Sequence, residues 1–387
     1  MVTPSLVCWL CRCARRTVNQ EKHDDFAARP VCWLGLGQGQ EVTDSVGGRP
    51  RRRWWSIGFG MFGVALLAWV LWRIDFRRLA TLVAEAEMRY LLVLPFAIAL
   101  EQLVRAWKWR QLLHAIHPIS TLRLFGAIMA GYLAALLIPF GVSPLVRSWL
   151  VARLENLTVS AVLATAAIDR LVDGVVFSAF VAITLLLAVF PDSSGGIRLG
   201  LTVGGAGSLA LFTLLLIGLV RYKRETARPD SWVMRWVGHL PARFAAPASG
   251  LARSFAQGIV WPRSRWRGVS IVLASILIKL IAITHFLWAG LAFGVVLRPA
   301  DYIFVLVFLG FLVILTHVAR IPGGFLVGTI FALSLLGVAE EQALAMGLAV
   351  QFSSMLTIAS IGVCTLWRNG VALADLQIAR GNGVGSS

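Results

Sequence analysis

Charge is scarce in this sequence. Only 14% of its 387 residues are Asp, Glu, Lys or Arg, against 58% hydrophobic residues, a balance that a water-soluble domain of this size does not carry. Acids are scarcer than bases, 19 against 36, and only Lys22, Lys108, Lys223 and Lys279 are lysine. Catalytic signatures are missing as well. There is no GxxxxGK[ST] phosphate cradle, no HExxH and no nucleophile–base constellation. A soluble enzyme domain is thereby excluded, and neither a catalytic residue nor a cofactor is expected. Of five cysteines, four lie in the first 32 residues, where Cys8, Cys11 and Cys13 form CxxCxC. Neither Cys32 nor His23 stands at a spacing suited to a fourth zinc ligand, so no metal site is expected. The stretch before Arg49 also lacks the apolar core of a signal peptide. Residues 1–50 read as a disordered basic tail.

What the sequence does hold is apolar length. Several runs reach about 20 residues, enough for a helix to cross the hydrocarbon of a bilayer, and the short alternating segments of a membrane barrel are missing. Helices and closed barrels are the two structures that satisfy the backbone in lipid. The expected fold is therefore all-α: a polytopic helical membrane protein with about eight transmembrane helices and two Pro/Gly-broken or re-entrant segments. It occupies residues 51–367 and leaves a short tail at 368–387. The formal charge of +17 does not point to nucleic acid, because the bases gather between apolar runs, where positive-inside retention collects them.

Arg49, Arg51, Arg52 and Arg53 precede a first span that runs to about Trp72, which holds the N-terminus in the cytoplasm. Residues 73–89 read as an amphipathic interfacial helix. A second span, about 90–111, ends in RAWKWRQLL (Arg105–Leu113), a basic-aromatic belt suited to the cytoplasmic headgroup layer. Further apolar segments follow at about 122–138, 159–190, 197–220, 269–296, 302–319 and 342–367, with a short segment at 145–156. Residues 221–268 are rich in Arg and read as the main cytoplasmic loop, carrying interfacial helices.

Two interruptions stand out: IPFGVSP, with Pro139, Gly141 and Pro144, and IPGG, with Pro322, Gly323 and Gly324. Paired breaks in the two halves of a membrane protein either frame a midplane binding site, where half-helix ends offer free N–H and C=O groups, or are two tight loops. An ionisable residue at the bilayer centre costs at least ~2.5 kcal/mol and must pair or face a polar cavity. Asp169 and Asp173, at i and i+4, share a helix face beside Arg170, and Arg147 follows the first break. They form either a polar surface for a lipid headgroup, with Arg147 as partner, or an interfacial turn. Glu101 with Arg105, the snorkelling Lys279, and the isolated His285 and His317 read as structural. His114 and His117 alone are too little for a metal centre.

In order along the chain, RAWKWRQLL, IPFGVSPLVRSWLVAR, AAIDRLVDG and IPGGFLVG resemble the lysylphosphatidylglycerol synthase transmembrane-domain family, also described as flippase-like. The resemblance spans about Trp54 to Trp367. It keeps Pro139, Arg147, Arg170 and Asp173, with Asp169 for a usual Glu. Ala135 stands where Asn is usual, Ser143-Pro144 where Gly-Glu is usual, and Thr329 where a Glu often follows the second break. The resemblance implies handling of a polar lipid between leaflets of the bacterial inner membrane. The attached synthase domain of the best-known members is not found in this sequence, so the lipid is expected to be a polar, glyco- or hopanoid lipid made by another enzyme. Arg147, Asp169, Arg170, Asp173 and the two breaks are the expected substrate-binding residues. A rival reading is a membrane subunit that anchors a lipid-modifying enzyme or glycosyltransferase through residues 221–268.

Overall fold

The computed structural model describes residues 75–137, 143–187, 195–227, 235, 239, 242–262, 264–319 and 323–369. The basic tail, the first span and the residues after Asn369 lie outside them, as do Pro139, Gly141 and Pro322. Among the described residues there are eleven helices and no strand. They are α1 (Phe76–Glu85), α2 (Met88–Leu113), α3 (Thr121–Leu137), α4 (Ser143–Glu155), α5 (Val159–Leu187), α6 (Gly196–Thr226), α7 (Ala242–Gly258), α8 (Arg265–Ala292), α9 (Pro299–Ala319), α10 (Gly324–Ser334) and α11 (Glu340–Arg368). Five of them, α2, α5, α6, α8 and α11, are long and apolar enough to cross a membrane, and α3, α9 and α10 are shorter apolar helices. The chain is a polytopic helical membrane protein, as its hydropathy requires.

Local chemistry sets the helix ends. Asp75 caps α1 by accepting from the amides of Arg77 (2.9 Å) and Arg78 (3.3 Å). α4 stops where Asn156 turns left-handed (φ 52°) and the Leu157 amide reaches back to the Ala152 carbonyl at 2.9 Å, the six-to-one closure that ends many helices. α3 ends at Leu137 before the first interruption, and α9 ends at Ala319 before the second. Gly323, at φ 74°, then starts α10 in a conformation that side chains resist.

α2 packs most extensively on α8, α5 on α6, and α3 on both α4 and α11. Apolar side chains gather into two cores. One joins Leu94 of α2, Phe177 and Phe180 of α5, Phe286 of α8, Phe304 of α9, Leu333 of α10 and Met346 of α11. The other joins Trp109 and Leu112 of α2, Ile128 of α3, Leu150 of α4, Ile168 of α5, Ile271 of α8 and Leu366 of α11. Four long helices run from one core to the other, and their polar residues fall between.

Two sequence expectations need correction. The RAWKWRQLL belt does not face headgroups along its length: Lys108 and Trp109 are wholly buried and Arg105 nearly so, while Trp107 and Arg110 remain exposed. An α-helix presents only one side to lipid, and here the i, i+3, i+4 positions turn inward. The arginine-rich connection is also shorter than 221–268, because α6 continues to Thr226 and α8 begins at Arg265. Within it, α7 packs against α5 and α6. Ser254 bonds Thr158 and Ser160 of the α5 end (2.6 and 2.7 Å).

Candidate functional site

Four helices bring ionisable side chains into one buried layer. α2 contributes Glu101, Arg105 and Lys108, spaced i, i+4 and i+7 and therefore on one face. α5 contributes Asp169 and Asp173, which lie about 15 and 21 Å along the helix from Val159. α4 adds Arg147, and α8 adds Ser275 and His285. All eight side chains are buried.

Lys108 is the hub. Its ammonium lies 2.7 Å from Asp169 Oδ1 and 2.6 Å from Asp173 Oδ1, and it donates to Ser275 Oγ at 3.1 Å. Arg105 takes the other Asp173 oxygen at 3.1 Å through Nη1, Glu101 Oε1 at 2.9 Å through Nη2, and Gln102 Oε1 at 3.2 Å through Nε. At one end Glu101 Oε2 faces His285 Nε2 at 3.8 Å, and at the other Asp169 Oδ2 faces Arg147 Nη2 at 3.8 Å. Acid and base thus alternate from His285 through Glu101, Arg105, Asp173, Lys108 and Asp169 to Arg147. Such alternation is what lets ions leave water, because each desolvated charge is offset by a neighbour of opposite sign.

The structure distributes the sequence candidates unevenly. Asp169 and Asp173 share a buried face with Arg147 opposite, whereas Arg170 is exposed on the flank and donates to Tyr132 Oη of α3 at 3.3 Å. Gly323 and Gly324 open α10, which packs on α9 and α11. They are not members of the charged layer. Thr329, at the place of a usual Glu, is buried and returns its hydroxyl to the Phe325 carbonyl at 2.9 Å.

By sequence alone Lys108 belongs to the headgroup belt, and Glu101, Arg105 and His285 read as structural. A usable signal was present: Glu101, Arg105 and Lys108 align on one helical face that also carries the apolar Leu94, Ala97 and Leu112. Lys279 lies at the side of the layer. It is half-buried with its ammonium 5.6 Å from the Phe177 ring centre. Away from the layer, His114 stands 2.8 Å from Arg267, and Glu155 holds Arg123 at 2.9 Å with His117 at 3.7 Å. Among the described residues, no group of His, Cys, Asp and Glu could hold a metal ion, and the CxxCxC segment lies outside them.

The members of the layer come from three helices long and apolar enough to cross a membrane, α2, α5 and α8, and from the short α4. That arrangement can receive or pass a polar group within the membrane. No curated protein and no solved structure matches the chain. A family model described as Lysylphosphatidylglycerol synthase TM region matches residues 54–362, a stretch that contains all four helices of the charged layer. The chain therefore belongs to the lysylphosphatidylglycerol synthase TM-region family, and it is a multi-pass membrane protein related to lipid synthesis and flippase-like proteins.

Proposed function

We propose that this chain is a lipid translocase or lipid-export factor of the bacterial inner membrane, with its N-terminus in the cytoplasm. Its passenger is a polar lipid, of the glyco- or hopanoid kind, made by another enzyme. One observation carries the reading: a run of alternating acids and bases is buried between two apolar cores of a membrane bundle. Charge at that depth is costly and is kept where it meets other charge or a polar passenger. Asp173 and Asp169 lie inside the layer while Arg170 and Tyr132 flank it nearer the surface. A headgroup exchanging hydrogen bonds along this path is shielded from hydrocarbon, and its acyl chains stay in lipid. No covalent bond changes, and no cofactor takes part.

The test is reconstitution of the full chain into phosphatidylcholine–phosphatidylglycerol liposomes carrying fluorescent polar lipids, with dithionite reporting the outer-leaflet pool. Wild type is expected to expose inner-leaflet lipid, and Asp173→Asn combined with Arg170→Gln to slow this about tenfold, equivalent to ~1.4 kcal/mol. Unchanged rates in the double variant would remove both residues from the mechanism. Absence of flip for every lipid tried, with a lipid-modifying enzyme or glycosyltransferase co-purifying through residues 221–268, would replace translocation by membrane anchoring.

A further inference from the structure

One cation of the buried layer has donors that nothing among the described residues answers. Arg147, one turn into α4, has 1% of its surface exposed, and none of its three guanidinium nitrogens makes a hydrogen bond. A guanidinium offers five N–H donors in one plane, and leaving them buried and unmet is unfavourable. The facing carboxylate oxygen, Asp169 Oδ2, stands at 3.8 Å, beyond hydrogen-bond reach. Asp169 already faces Lys108 through its other oxygen, Asp173 is shared by Arg105 and Lys108, and Glu101 holds Arg105. Every acid of the layer thus faces a cation, although Asp169 Oδ2, like the Arg147 nitrogens, makes no hydrogen bond.

The helix itself supplies no acceptor. The neighbours of Arg147 at i−3, i+3 and i+4 are Pro144, Leu150 and Val151. At i−4 on the same face stands Ser143, whose hydroxyl is also buried without a partner. It lies in the first turn of α4, where backbone amides lack helical acceptors. The Trp109 ring, 4.9 Å from the guanidinium carbon, covers one face of Arg147 and leaves the in-plane donors open. Gly131 of α3 closes the back, since a Cβ there would stand 2.9 Å from the Ser143 carbonyl oxygen and 3.1 Å from Arg147 Cβ.

We propose that Ser143 and Arg147 form an anion subsite of the charged layer, built for a phosphate-type oxyanion. The inference rests on the lipid-handling reading and adds the headgroup chemistry to it. The planar fork of Arg147 fits two oxygens of a tetrahedral oxyanion, and Ser143 Oγ and the first-turn amides serve a third. The carboxylates of the layer each face a cation of the protein, Asp169 with Lys108 on one oxygen and Arg147 at 3.8 Å on the other. The oxyanion arrives either on a lipid or as a free ion.

The test is thermal unfolding of the full chain in dodecyl-maltoside micelles with three probes: inorganic phosphate, dilauroyl phosphatidic acid and dilauroylglycerol. Phosphatidic acid is expected to raise the unfolding temperature, by about 2 °C at ten times its dissociation constant, and dilauroylglycerol is not. A shift with phosphatidic acid alone assigns the oxyanion to a lipid, and an equal shift with inorganic phosphate assigns it to a free ion. Both support the subsite. Arg147→Gln should abolish the shift and Arg153→Gln, at an exposed arginine of the same helix, should keep it. Because Arg147→Gln alters the core, Pro144→Glu gives a second route: it places a carboxylate three residues before Arg147, and it should compete the probe away while the arginine remains. Absence of a shift with either anion, an equal shift with dilauroylglycerol, or a full shift in Arg147→Gln or Pro144→Glu overturns the proposal. Loss of anion binding with flip intact discards the subsite alone, whereas anion binding without flip discards the translocase reading.

Discussion

α5 and α6 are neighbours with almost the same hydropathy and opposite surroundings. Their most apolar windows average 2.0 and 2.2, yet half of the α5 window is buried inside the protein and only 6% of that of α6. α5 carries Asp169 and Asp173 at mid-length. α6 keeps its ionisable residues near its two ends and exposes Leu199, Val203 and Leu214. The seam between them is made of small residues. The Phe212 ring lies against Gly174, Gly205 leaves room for Val181, and Ser178 and Ser208 share a hydrogen bond of 2.9 Å. Hydropathy thus reports that a helix sits in lipid, not whether lipid or protein surrounds it. A face of small and polar residues marks the inner helix, because helices in lipid associate through close packing and buried hydrogen bonds.

The largest break in this comparison comes from Lys108→Met, which takes the close cation from Asp169 and leaves Asp173 with Arg105 alone, and is expected to cost about 3–5 kcal/mol in unfolding free energy measured in mixed micelles. The matching change near the end of α6, Lys223→Met, removes a bond to the Ile259 carbonyl (2.6 Å) and should cost about 1 kcal/mol. Equal losses would mean that the layer is no more buried than the end of α6. Next in size is Gly174→Ala, which forces a Cβ into the Phe212 ring and should cost about 1–3 kcal/mol. Adding Phe212→Ala should recover part of that loss in a double-mutant cycle; full additivity would show that the seam is not where the two helices meet. Ser178→Ala should cost about 0.6 kcal/mol by the same unfolding measurement. Smallest is Leu214→Ala on the lipid side of α6, expected within about 0.5 kcal/mol. A loss as large as that of Gly174→Ala would reveal a protein neighbour on that side.

Much of the fold is legible in the chain because its signals are local. The expected segments at 122–138, 159–190, 302–319 and 342–367 correspond to α3, α5, α9 and α11 within a few residues, since apolar length and the Pro and Gly beyond the ends act where they stand. The candidate site is less legible. Asp169 and Asp173 were visible because two acids one turn apart in apolar sequence have no cheap alternative to a shared polar face. Lys108 was misplaced because RAWKWRQLL, with arginines and tryptophans near a helix end, has the composition of an interfacial belt. Composition does not say which side of the helix meets α5. Arg170 shows the same limit from the other side: sequence neighbours of a buried acid point about 100° away around a helix, and Arg170 turns outward to Tyr132.

By itself the sequence determined that the chain lives in lipid as helices, that α3 gives out near Pro139 and α9 near Pro322, and that Asp169 and Asp173 share one face. Each of these follows from helical periodicity, from proline and glycine backbone limits, or from the cost of moving polar groups into hydrocarbon, all of which operate over a few residues. The tertiary structure decided which cations answer the acids and which cation is left over. Lys108 meets Asp173 from 65 residues away and Ser275 from 167 residues away. Arg147 shares the same layer yet falls 3.8 Å short of Asp169. Pairing of this kind depends on the rotation and separation of packed helices, with Gly131 setting how near α4 comes, and helical periodicity carries no information about either.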